Sequence, residues 1–189
     1  MKPPQDMYTR LLKNMLRERK VTMETDYILK NLEKKINDKK RGYNHDSIIS
    51  WFNGEQKYKK RYKGREILEI IQNAEDAKAD ELIFTINHKC NKIIISNNGE
   101  NFSLAGYSSL LYPDLSPKPK GIFIGQKGLG FRALINWANE ISIISNNLKV
   151  TFSDKISRDL LLELKAERDD LSDVSQMQFL SLPDIQKID

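Results

Sequence analysis

Gly125-Gln126-Lys127-Gly128-Leu129-Gly130-Phe131-Arg132 places three glycines within six residues, just ahead of an apolar stretch readable as a helix over 130–138. Bare backbone N–H groups before a helix, with Lys127 among them, make a seat for an anion, because the helix dipole favours negative charge at its start. No Gly-Lys-Ser/Thr follows, so this is not a Walker loop, and the glycine order is not that of a dinucleotide fingerprint. Taken alone, it is a phosphate loop or a tight strand-to-helix turn.

Two further segments lie upstream. In Glu66–Ala77, Ile67, Ile70, Ile71, Ala74 and Ala77 share one side at helical spacing. Glu69, Gln72, Asn73 and Asp76 share the opposite side, through i, i+3, i+4 and i+7. Alone, this is an ordinary amphipathic helix with a wet face. Ile93-Ile94-Ile95-Ser96-Asn97-Asn98-Gly99-Glu100-Asn101-Phe102 is a strand running into residues that tolerate turns. Alone, it is a hairpin turn, although a long loop with Pro113, Pro117 and Pro119 follows it instead of a return strand.

Around these segments the chain reads as helix over 6–37 in one or two pieces, closed at Gly42 by a left-handed glycine. A short helix over 47–52 is broken by Asn53-Gly54, and another helix covers 65–79. Strands are expected over 81–87 and 92–96, joined near Lys89-Cys90-Asn91, and over 140–145 and 148–152. A short helix at 107–111, a charged helix at 158–168 and a last strand at 176–182 complete the reading. Alternating helices and strand pairs point to an α/β sandwich with helices on one face of a sheet.

Composition narrows the function. The 189 residues are 39% hydrophobic and 30% charged, a globular balance with room for one domain and its core. No apolar run approaches the length of a membrane span, and the start Met-Lys-Pro-Pro-Gln-Asp lacks the apolar stretch of a secretory signal. One cysteine, Cys90, excludes an internal disulfide and a cysteine zinc site, and two distant histidines, His45 and His88, argue against a zinc hydrolase. A cytoplasmic protein is expected. Charge is unevenly spread: residues 1–65 hold 18 Lys+Arg against 8 Asp+Glu, and residues 66–189 hold 13 against 18. The basic half is either a solvated helical extension or an arm that neutralises nucleic-acid phosphates.

In this order, the three segments resemble the boxes of the Bergerat-fold (GHKL) ATPases, the superfamily of gyrase, the ninety-kilodalton heat-shock chaperone, histidine kinases and MutL. The likeness is closest to the chaperone and to sacsin-type N-terminal ATPase domains of large bacterial proteins. It covers about Tyr62 to Phe152 and leaves out residues 1–60. The resemblance implies helices layered on a mixed β-sheet, with residues 1–60 as a basic, mostly helical extension. Residues 61–189 would form the ATPase domain, truncated at its C-terminal end and belonging with further domains or subunits of a larger assembly.

The resemblance also implies ATP and Mg²⁺ as ligands. Asn73 would hold the metal and Glu69 would deprotonate the attacking water, while Asp76 and Ala77 border the nucleotide. Asn97, where the family usually has Asp, would accept the adenine amine. Gly99 would let backbone approach and Phe102 would wall the base. Asn101 stands where the chaperone has a second glycine. Gly125, Gln126, Lys127, Gly128, Leu129, Gly130 and Phe131 would cradle the phosphates, and residues 103–123 would form a lid whose Lys118 and Lys120 are read as solvated. The implied activity is that of an ATPase conformational switch, chaperone-like or serving antiviral defence or DNA handling. The alternatives are a nucleotide sensor with little turnover and a nucleic-acid-binding module. A histidine kinase is disfavoured, because His45 lacks the expected surroundings.

Overall fold

The computed structural model describes residues 5–112 and 130–188, with side chains over 20–112 and 131–188. Five α-helices are present in this part: α1 (Gln5–Arg41), α2 (His45–Tyr62), α3 (Glu66–Asp76), α4 (Leu104–Leu111) and α5 (Asp154–Glu167). The strands are β1 (Leu82–Asn87), β2 (Lys92–Asn97), β3 (Glu140–Ser145), β4 (Leu148–Ser153) and β5 (Asp184–Lys187). Gly130–Asn136 and Asp169–Leu171 are 3-10 helices. The chain is mixed α/β, as its alternating pattern predicts.

Among the described residues the strands form two small antiparallel sheets in place of one mixed sheet. One is the β1–β2 hairpin, with Leu82 opposite Asn97, and the other has the order β3-β4-β5. Asn146 and Asn147 both take positive φ, near 55°, and so close the two-residue β3–β4 hairpin with the twist its strands require. The Thr25 hydroxyl of α1 donates to the Asn146 carbonyl at 2.6 Å, tying that turn to the first helix.

Two apolar clusters hold the elements together. The first joins Ile28 and Leu32 of α1, Tyr107, Leu110 and Leu111 of α4, Leu148, Val150 and Phe152 of β4, and Phe179 and Leu180. The second joins Tyr43 and Ile48 to Leu160, Leu161 and Leu164 of α5 and to Leu171, Val174 and Leu182. Ile36 packs on both. Residues 1–60, expected as a basic, mostly helical extension, supply side chains to both clusters.

Several elements differ from expectation for identifiable reasons. The first helix is a single piece of 37 residues. Gly42 does not take the left-handed conformation; that belongs to Gly64, at φ 83°, just past the end of α2. α2 runs straight through Asn53-Gly54, because burial of Ile48 and Glu55 on either side outweighs a glycine penalty of about 1 kcal/mol. Residues 176–182 form no strand. The Glu55 carboxylate accepts the N–H groups of Phe179 at 2.6 Å and Leu180 at 2.9 Å, so a side chain takes the place of a ladder neighbour. The last strand lies further on, at Asp184–Lys187.

Candidate functional site

α3 is the centre of the candidate site: its C-terminal end meets the second segment, and its body meets the 3-10 helix that continues the third. At its C-terminal end the Ala77 carbonyl accepts the Glu100 N–H at 2.6 Å, and Lys78 pairs with Glu100. The contact is so close that a Cβ on Gly99 would lie 2.5 Å from the Ala77 oxygen and 2.9 Å from its methyl. Asn97 shapes the same turn by accepting the Gly99 N–H at 3.0 Å. Asn98 fixes the approach by accepting Asp80 N–H at 2.9 Å and Glu81 N–H at 3.0 Å.

The body of α3 packs against the 3-10 helix Gly130–Asn136, which begins where the third segment ends. Glu66 links the two, accepting the Gly64 N–H at 3.0 Å and the Asn136 side-chain amide at 3.3 Å. Burial pushes the Glu66 carboxyl up, but its own N–H, Gly64 and Asn136 outweigh that and hold it below the usual carboxylate range. Glu69, one turn on, is 7% exposed, and the Arg65 guanidinium stands 3.7 Å from its carboxylate. Asn73, a further turn on, is exposed, and Asp76 and Ala77 are half-buried.

The faces of α3 differ from the amphipathic reading. Ile70 and Ala74 are buried as expected, but Glu66 and Glu69 join them, while Ile67, Leu68 and Ile71 are exposed. The carboxylate side of the helix is the one covered by the 3-10 helix and its neighbours. Phe102 is half-buried and packed into the first cluster, with its ring 4.7 Å from that of Tyr107 and its N–H on the Ser145 hydroxyl. Its ring is thus engaged by the first cluster on at least one side. Gly130 opens the 3-10 helix and Phe131 packs on the first cluster. Gly125, Gln126, Lys127, Gly128 and Leu129, with most of the expected lid, lie outside the described residues.

Sequence reasoning passed over three groups. Arg65 is one, although its position four residues before Glu69 was a readable pairing signal. Arg132 is another, 3% exposed and donating to the Leu110 carbonyl at 3.3 Å. The third is the buried pair of Lys39, which donates to the Leu180 and Ser181 carbonyls, and Glu55. Nothing in a local pattern announces a contact spanning more than 100 residues. A cavity of about 400 Å³ lies beside this group, lined by Trp51, Glu55, Lys57, Tyr58, Arg132 and Gln178 among others; neither Glu69 nor Asn73 borders it. Among the described residues, no three His, Cys, Asp or Glu side chains cluster as a metal site, and no helix is long and apolar enough to cross a membrane.

Compared with protein-family models, with curated proteins and with solved structures, the chain matches none.

Proposed function

We propose that this chain is an Mg-dependent ATP-binding and ATP-hydrolysing module of Bergerat type, acting as a conformational switch within a larger chaperone-like, defence or DNA-handling assembly. The observation that carries the reading is convergence on α3. The second segment meets the end of α3 through Gly99 on Ala77, and the 3-10 helix that continues the third segment meets its first turn through Asn136 on Glu66.

The donor chemistry fits the implied ligands. Mg²⁺ takes oxygen ligands and keeps waters, so a single exposed amide oxygen on Asn73, completed by phosphate oxygens and water, is a suitable protein share of its shell. When bound, the metal neutralises phosphate charge. Glu69, one turn away on the same helix, would take a proton from water, a contribution of about 10²- to 10⁴-fold. The Arg65 ion pair occupies the Glu69 carboxylate, which favours slow turnover in the resting chain.

Calorimetric titration with Mg·ATP and a phosphate-release assay test this reading. Glu69→Ala should retain Mg·ATP and lose hydrolysis, whereas Asn73→Ala should lose Mg·ATP. Absence of binding heat in the unaltered chain would defeat the proposal, and equal phosphate release from Glu69→Ala would remove the role assigned to that residue.

A further inference from the structure

The basic half of the chain is not uniformly available. At the end of α1, Lys39 is buried against the Leu180 and Ser181 carbonyls, Lys40 pairs with Glu163 at 2.7 Å, and Arg41 stands 3.8 Å from Asp38. The end of α2 is different. Lys57, Lys59, Lys60, Arg61, Lys63 and Arg65 fall within nine residues that contain no Asp or Glu, and all but the half-buried Lys59 are exposed. Among the described residues, no carboxylate lies within ion-pair distance of any of the first five, although the charges of Lys59 and Lys63 are felt by Glu55 and Glu66. The flanking acids face inward: Glu55 and Glu66 are both buried and bonded to backbone N–H groups.

Two of the ridge cations, Arg61 and Arg65, rest on an aromatic ring. Tyr62 lies under both Arg61, 5.8 Å from the ring centre, and Arg65, at 5.6 Å. Tyr58 lies 6.0 Å from the Arg132 guanidinium and tilts against Tyr62. These rings already carry guanidinium groups, so the ridge offers positive charge in place of stacking platforms for unpaired bases. Lys57, Lys60 and Arg61 share one face of α2 by their i, i+3 and i+4 spacing, Lys63 and Arg65 follow past its end on either side of Gly64, and such a cluster of cations suits the closely spaced phosphates of a duplex.

We infer that the ridge Lys57–Arg65 docks the phosphate backbone of a nucleic-acid duplex, and that Arg65 couples this docking to the candidate hydrolytic site. Arg65 belongs to both: it is the last cation of the ridge and the partner of Glu69 at 3.7 Å. A phosphate that engages Arg65 draws the guanidinium from Glu69 and frees the carboxylate to accept a proton. Arg65 is thus a positioning residue that restrains Glu69 until a duplex arrives. The docking stands on the ridge alone; the coupling rests on the ATPase reading.

The test uses the whole chain, a labelled DNA duplex of about 20 base pairs, the corresponding single strand, and phosphatidylserine vesicles. Duplex binding, followed by anisotropy, should weaken with salt at a log–log slope of about −5 if six cations are neutralised. Replacing Lys57, Lys60 and Lys63 together by Ala should make that slope shallower by about 3 units, with basal phosphate release unchanged. No duplex binding at low salt, an unchanged slope, or tighter binding to single strand or vesicles would overturn the docking. Saturating duplex should raise phosphate release by about fivefold or more, and Arg65→Ala should raise the basal rate and abolish the response. Duplex binding without that response in a chain that hydrolyses ATP would overturn the coupling. A chain that binds duplex but not Mg·ATP would leave the docking standing and defeat the ATPase reading.

Discussion

Gly99 sits where a side chain would collide with Ala77: an added Cβ would lie 2.5 Å from a carbonyl oxygen that already accepts the Glu100 N–H. The obstacle is backbone at the end of a helix, which cannot swing aside as a flexible side chain would. Gly99→Ala should therefore force α3 and the β2 turn apart, at a cost of about 1–3 kcal/mol. An unaltered urea midpoint would show that the two segments are not pressed together in solution.

Glu55 is the buried acceptor that replaces a strand partner for Phe179 and Leu180. Glu55→Ala leaves two buried N–H groups without acceptors, and each such loss costs about 1–3 kcal/mol. Glu55→Gln keeps one acceptor oxygen but points an amide at the second N–H, so its stability should fall between the other two. Equilibrium denaturation of the three proteins checks the order.

Lys39 is 3% exposed. Burial, reinforced by the Arg132 charge and opposed by Glu55, lowers its pKa from 10.5 to about 7. Above pH 7 the folded chain therefore carries a neutral Lys39 while the unfolded chain still binds the proton. Stability should rise with pH between about 7 and 10, by up to about 1.4 kcal/mol per pH unit. Tyr107, which burial raises to about 12, and Tyr43, raised further still, keep their protons in the folded state only, so stability should fall again above pH 10. Denaturation midpoints across this range, compared with those of Lys39→Met, check the assignment; the same rise in the variant would contradict it.

Gly54 lies inside α2 without a positive φ, and a Cβ added there would meet nothing within 4 Å. Gly54→Ala should stabilise the chain by about 0.5–1 kcal/mol through helix propensity alone. A lowered thermal midpoint would mean that the helix bends there.

Much of the secondary structure was legible because its signals are local. The β1 and β2 strands, their Asn91 turn at φ 49° and both β3–β4 strands follow from short apolar runs and the residues between them. The misses have tertiary causes. Asn53-Gly54 should end a helix, but buried Ile48 and Glu55 carry α2 across it. Phe179 and Leu180 look like strand residues because they are apolar, yet their N–H groups belong to Glu55. In the candidate site, the spacing of Glu69 and Asn73 was readable, whereas the cover over Glu66 and Glu69 depends on Asn136 and its 3-10 helix, which only the folded chain brings near.

The clamp around Lys39 also sets an order of events during synthesis. Leu180 and Ser181, whose carbonyls receive its Nζ, follow it by 141 and 142 positions. At about 5–20 residues added per second, the first helix waits on the order of ten seconds for these partners to emerge. Throughout that delay Ile28 and Leu32 have no Phe179 or Leu180 to pack on, so the nascent polypeptide carries an open apolar seam that holdase chaperones are suited to shield, and it locks shut only once residues 179–181 have emerged.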